Sequence, residues 1–283
     1  MALLKKIAGF GFAGLLVLVL VAAATIFGLS EMRLRQGYAV PLAPLRVAPD
    51  AQMATEGKRL AEAVGCLGCH KESGNVLLSV DNVGTLVAPN LTEKIPHYSD
   101  DELLRLLRHG IKRDGTSTIA MPALALTNLA DDDVARILAY LRSLPEKPSA
   151  VGETQWGPLG RVALVAGKVT FSADLVTPAD DPPLHRPDGS PAELGRYVVG
   201  AVCTSCHKLD VETDDGWVVK APALQPMVAA YDFADFKRLM RTGIAAGGRE
   251  VGLMTEIARG DLTHLTDAEI EGVYAYLHEQ PDE

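Results

Sequence analysis

From Ile7 to Leu29 the chain runs for 23 residues without a charge, between Lys5-Lys6 on one side and Glu31, Arg33 and Arg35 on the other. As a helix rising about 1.5 Å per residue this stretch would extend about 34 Å, enough to cross a bilayer core of roughly 30 Å. Beyond it the pattern becomes amphipathic. Val134, Ile137, Leu138 and Leu141, and again Ile270, Val273, Tyr274 and Leu277, fall at i, i+3, i+4 and i+7, one apolar stripe on each of two predicted helices. Another helix is predicted to start at Ser99-Asp100-Asp101-Glu102 and to stop at Arg108-His109-Gly110, because acid in the first turn, base in the last and glycine just beyond suit the helix dipole and a left-handed cap. Gly57 to Val64 is helical in pattern, and Ser190-Pro191-Ala192-Glu193 is a capping box with proline at the first helical position. Ala22-Ala23-Ala24 after a basic start would also suit a cleaved signal peptide, but the apolar run exceeds a typical signal core, which favours a retained anchor. The flanking charges, two basic residues on each side, do not orient it.

An internal repeat follows. Pro89, Gly110 and Met121 recur as Pro222, Gly243 and Met254, with intervals of 21 and 11 positions in both copies. The copies differ by four extra residues between His70 and Pro89 in the first and three extra between Met254 and Pro281 in the second. The organisation expected is an anchor over 1–36, one domain over 37–147, a linker over 148–189 and a second domain over 190–283. The linker is rich in Pro, Gly and Asp. Val162, Val165, Val169 and Thr170 are the residues in it that favour short strands, although Gly167 interrupts their alternation. Its expected task is to pack over the first domain and hold the second.

All four cysteines lie in two five-residue stretches, Cys66-Leu67-Gly68-Cys69-His70 and Cys203-Thr204-Ser205-Cys206-His207, so none remains for a disulfide. Two thiols and an imidazole on one turn are the arrangement that attaches a c-type haem: the thiols add across two vinyl groups and the adjacent histidine reaches the iron. A structural zinc site would need further Cys or His ligands, and a dithiol redox motif would not be expected twice with the same trailing histidine.

On these motifs the chain resembles the class I c-type cytochromes, in particular bacterial two-haem cytochromes c and the cytochrome subunits of periplasmic dehydrogenases. The resemblance implies an all-α fold with two tandem class I cytochrome c domains after one N-terminal transmembrane helix. It implies two covalently bound haems c and a porphyrin buried between the first and last helices of each domain. It also assigns roles. His70 and His207 would bind iron from one side, and Met121, in Thr118-Ile119-Ala120-Met121-Pro122, and Met254 from the other; Met254 departs from the family pattern in being followed by Thr255. Pro89 and Pro222 would offer their carbonyls to the far nitrogens of the two histidines. Met240 reads as core, Met227 has no counterpart methionine in the first copy, and Met53 precedes the first motif. His97, His109, His185, His264 and His278 read as surface or helix-end residues.

The net charge of −9 is unevenly spread: residues 1–36 carry +3, 37–150 carry −2 and 151–283 carry −10. No basic stripe is present, which argues against a nucleic-acid partner and leaves basic redox partners compatible. The excess acid in the second domain predicts the lower potential there. Because the resembled family receives its haem outside the cytoplasm, the domains are expected on the periplasmic side of a bacterial inner membrane. Three functions follow from the resemblance: a carrier between a quinol-oxidising complex and a terminal acceptor, the electron-accepting subunit of a dehydrogenase, or a two-haem peroxidase, which alone would make the chain an enzyme and would need an open iron position.

Overall fold

The computed structural model describes residues 2–47, 50–176, 185–213 and 220–278, with side chains from residue 10 onward. Pro281 and residues 177–184 of the expected linker lie outside them. The apolar N-terminal run forms part of one long helix, α1 (Ala2–Leu34), whose stretch Phe10–Leu34 is long and apolar enough to span a membrane.

The first repeat holds α2 (Ala51–Ala63), α3 (Cys66–His70), β1 (Asn75–Val80), β2 (Gly84–Ala88), α4 (Leu91–Lys94), α5 (Asp100–His109), α6 (Ala123–Leu126) and α7 (Asp131–Ser143). Local chemistry sets these ends as expected. Ser99 and Glu102 form the reciprocal capping box of α5, and Gly110 closes it with φ 64°, a conformation glycine adopts without strain. The stripe of Val134, Ile137, Leu138 and Leu141 is buried with Leu60, Leu103, Leu104 and Leu126 in one core. The last helix crosses the first. They meet so closely that a Cβ placed on Gly57 would lie 1.8 Å from the Arg136 carbonyl oxygen.

The fold is not strictly all-α. The residues extra to the first repeat are accommodated in the β1–β2 hairpin, and β3 (Gln155–Trp156) adds antiparallel to β2 to make a three-stranded sheet. The linker also differs from expectation. Val162 and Val165 lie in a helix, α8 (Pro158–Val165), followed by α9 (Ser172–Leu175). Proline at the start of α8 presets helical φ, and packing against α1 overrides the β preference of valine. The linker does pack over the first repeat: the Ser172 hydroxyl donates to the Met121 carbonyl (2.9 Å) and the Ala173 amide to the Ser117 hydroxyl (3.0 Å).

The second repeat comprises α10 (Pro191–Val198), a π-helical turn (Val199–Cys203), α11 (Leu224–Val228), α12 (Phe233–Thr242), β4 (Ile244–Ala245), β5 (Arg249–Glu250), α13 (Leu253–Gly260) and α14 (Asp267–His278). Ser190 and Glu193 form the expected capping box, Gly243 closes α12 with φ 71°, and α10 crosses α14 at Gly195 and Gly272. The two repeats pack on one another. Ala63 is buried in the core of the second and Ala201 in that of the first, while Arg59 donates to the Glu269 carboxylate (2.9 Å) and the His264 carbonyl (2.9 Å).

Candidate functional site

Each Cys-x-x-Cys-His stretch follows the first helix of its repeat and turns its histidine toward the proline predicted to receive it. The His70 Nδ1–H donates to the Pro89 carbonyl (2.7 Å), and the His207 Nδ1–H to the Pro222 carbonyl (2.8 Å). A carbonyl oxygen only accepts, so each bond fixes the tautomer and leaves the Nε2 lone pair available as a ligand.

A single cavity of about 1780 Å³ is lined by both motifs. Its walls are largely aliphatic, with Leu103, Leu138 and Leu141 from the first repeat and Leu239, Val273 and Leu277 from the second. Burial, reinforced by Cys69 and Asp261, pushes the Cys66 thiol up to about 12, and burial with Cys206 does the same for Cys203. An apolar volume with two thiols and one imidazole whose Nε2 is free suits covalently attached haem in each repeat.

The predicted methionines are both at this cavity. Met121 lies between Ala120, at φ 64°, and Pro122, just ahead of α6. Met254 lies in the first turn of α13. Thr255 accounts for the departure after Met254. Its buried hydroxyl donates to the Gly243 carbonyl (2.8 Å) and accepts from the Val251 amide (2.8 Å), just as the Thr118 hydroxyl donates to the Gly110 carbonyl (3.1 Å) in the first repeat. Met227 and Met240 also line the cavity, Met240 as a buried core residue, whereas Met53 is absent from its wall. Among the described residues the cavity wall contains two histidines, His70 and His207. His109, expected at a surface or helix end, closes α5 as expected but is buried there.

Several residues at the site carried no signal in the sequence. Asp261 projects from the second repeat onto the first attachment loop: a Cβ on Gly65 or Gly68 would lie 3.3 Å from one of its carboxylate oxygens. Burial pushes its carboxyl above the usual range. Burial first, then Asp261 and then Cys206 push the Cys69 thiol up, and both attachment stretches line the one cavity. The two attachment loops therefore face one another across the junction.

Residues 52–141 match the family described as cytochrome c oxidase, cbb3-type, subunit III, and residues 192–281 match cytochrome c. The fructose dehydrogenase cytochrome subunit of Gluconobacter japonicus is 26% identical over 86% of this chain and 56% of its own length. The gluconate 2-dehydrogenase cytochrome c subunit of Pantoea cypripedii is 24% identical over 78% of this chain and 58% of its own. The cytochrome c subunit of the quinone-dependent alcohol dehydrogenase of Gluconobacter oxydans is 25% identical over 56% of this chain and 35% of its own. The chain thus spans little more than half the length of the first two relatives. With a cytochrome c match over each repeat and a haem-attachment motif in each, the chain belongs to the two-haem class I cytochromes c, whose haem c is covalently bound.

Proposed function

We propose that the chain carries single electrons on the periplasmic side of a bacterial inner membrane, between a donor and an acceptor that dock at its two domains. The observation that carries this reading is the shared cavity at which the two attachment loops face each other. Haem c supplies an iron that gains or loses one electron while its ligands stay in place. The protein's part is to hold that centre still. His70 and His207 would hold the iron through Nε2, with the ring fixed by Pro89 and Pro222, and Met121 and Met254 would supply sulfur donors, which favour a higher potential than a second imidazole would.

The relatives favour one form of this reading, in which the donor is a dehydrogenase and this chain is its electron-accepting cytochrome subunit. A carrier between a quinol-oxidising complex and a terminal acceptor uses the same centres. The proposed organisation is an anchor over 1–36, domains over 37–147 and 190–283, and a linker over 148–189. Phe10–Leu34 supports the anchor by length and composition.

Protein solubilised from membranes in detergent should carry two haems, undergo two reversible one-electron steps, exchange electrons with a small c-type cytochrome and co-purify with its donor. A high-spin centre that binds added ligands and reduces peroxide rapidly would replace the carrier with a peroxidase.

A further inference from the structure

The linker helix α8 has an outer face with no polar side chain. Gly160 and Leu164 point into the protein and Arg161 faces α1; the exposed positions are Pro158, Leu159, Val162 and Val165, with Ala166 just beyond. Leu159 is 57% exposed, Val162 44% and Val165 41%. A surface helix facing water would carry polar residues on that side. The position of α8 indicates what covers it. Its one cation is turned onto the last turns of α1: the Arg161 guanidinium donates to Ser30 Oγ (2.8 Å) and Glu31 Oε1 (2.9 Å) and lies 4.2 Å from the centre of the Phe27 ring. Phe27 belongs to the uncharged run, whereas Glu31, Arg33 and Arg35 follow it. A helix docked at Phe27–Glu31 sits at the level where α1 passes from hydrocarbon to headgroups. On the polar side of that level, Arg33 pairs with Asp174 and stacks on Phe171 (4.4 Å), so residues on both sides of the α8–α9 turn grip the emerging anchor.

We propose that α8 is a second membrane contact: Leu159, Val162 and Val165 rest in the headgroup–acyl boundary of the bilayer that α1 spans. The inference rests on the reading that α1 is a retained anchor. Three aliphatic side chains add little affinity beside a spanning helix, so the contact sets orientation rather than attachment. That orientation passes directly to the first haem domain, because Phe171 pairs with Ile119 as an isolated β-bridge and Ser172 holds the Met121 carbonyl.

The test uses the full-length holoprotein in nanodiscs of phosphatidylethanolamine and phosphatidylglycerol, doped with a phospholipid bearing a diazirine in its acyl chain near the headgroup. After illumination, mass spectrometry should find lipid adducts both in α1 and in the peptide containing Leu159, Val162 and Val165. The Leu159→Asp/Val162→Asp variant, checked for two haems by its visible spectrum, should lose most of the adducts in that peptide while those in α1 persist. Adducts confined to α1 would overturn the proposal and leave the anchor standing, as would α8 adducts that the variant does not reduce; a subunit of a partner complex covering α8 would give the first of these results. Absence of adducts from α1 would overturn the anchor and the proposal together.

Discussion

The Tyr197 hydroxyl of the second domain donates to the Asp133 carboxylate of the first (2.7 Å) and accepts from the Ala130 amide (3.2 Å). Ala130 stands at the N-cap of α7 without a side chain able to cap it. In the second domain Thr266 precedes α14, accepting from the Glu269 amide (3.1 Å) while its own amide donates to Glu269 (2.6 Å). Tyr197 thus gives the Ala130 amide, from the other domain, the acceptor that the Glu269 carboxylate gives the Thr266 amide locally. Tyr197→Phe should cost about 1–3 kcal/mol by leaving the Asp133 carboxylate and the Ala130 amide short of a partner. Thermal denaturation of the holoprotein will show this, and Ala130→Thr in the Tyr197→Phe background should restore part of the loss by supplying a local cap.

Asp133 and Glu269, at matching positions of their helices, are also joined by Arg186, whose guanidinium reaches the first at 2.8 Å and the second at 2.5 Å. Burial opposes ionisation of Glu269, but Arg186, the Thr266 amide and Arg59 outweigh it and hold the carboxyl below its ordinary value of 4.5. A depressed carboxylate contributes stability that is complete above that ordinary value and is lost as pH falls through the folded one. Denaturant titrations should therefore show the domain junction weakening below about pH 4.5. Glu269→Ala should remove this acid-dependent component and, by leaving two arginines without their shared partner, destabilise by about 3 kcal/mol. An unchanged acid profile in the variant would assign the pH response elsewhere.

Gly57→Ala and Gly195→Ala should each separate a first helix from its last. A Cβ at these positions would lie 1.8 Å from the Arg136 carbonyl oxygen and 1.9 Å from that of Gly272, and backbone atoms cannot turn aside as a flexible side chain would. The expected cost is about 3 kcal/mol at each site, the upper part of the usual range for overpacking. Because each crossing belongs to one domain, separate reduction of the two haem signals during unfolding should show which domain has loosened.

The parts of this fold that could be read from the chain are those with local causes. Ser99 with Glu102, Ser190 with Glu193, and the glycines at 110 and 243 mark helix ends because the capping partners are a few residues away. Cys66–His70 and Cys203–His207 announce their cofactor because attachment needs those side chains on one turn. The valines of α8 misled because β preference is weak beside docking onto α1. Tyr197, Arg186 and Asp261 act across the domain junction, over separations that no local spacing encodes. Asp261 shows the consequence for electrostatics: a charge count by sequence assigns it to the second centre, but the fold lays it on the first attachment loop.

Met121 and Met254 are the proposed sulfur ligands, and the second domain supplies rivals, since Met227 and Met240 share the cavity wall. The matched 11-residue intervals after Gly110 and Gly243 favour Met254. Met254→Ala should remove about half of the near-infrared sulfur-to-iron band of the oxidised protein and lower one of the two potentials. Loss of the same half on replacing Met227 or Met240, with Met254→Ala silent, would move the assignment.

Asp261 offers the sharpest test of how the junction tunes the first centre. Burial raises its carboxyl pKa, with His264 a smaller opposing influence, so the ionised form is disfavoured where it stands. The stability this group contributes is complete below its ordinary value of 3.8 and is lost as pH rises through the folded one; at neutral pH the junction carries a partly desolvated charge. That charge faces Gly65 and Gly68 on the loop bearing Cys66 and Cys69, and a negative charge beside the haem favours the more positive, oxidised iron. Asp261→Asn removes the charge while keeping the shape. It should stabilise the junction at neutral pH and raise the potential of the first-domain haem by an amount on the order of tens of millivolts, leaving the second nearly unchanged. Redox titration followed by visible spectroscopy, with Met254→Ala used to mark which wave belongs to the second domain, separates the two. A shift confined to the second wave would mean that Asp261 acts on its own domain, and the close approach to the first loop would then have no electrostatic effect there.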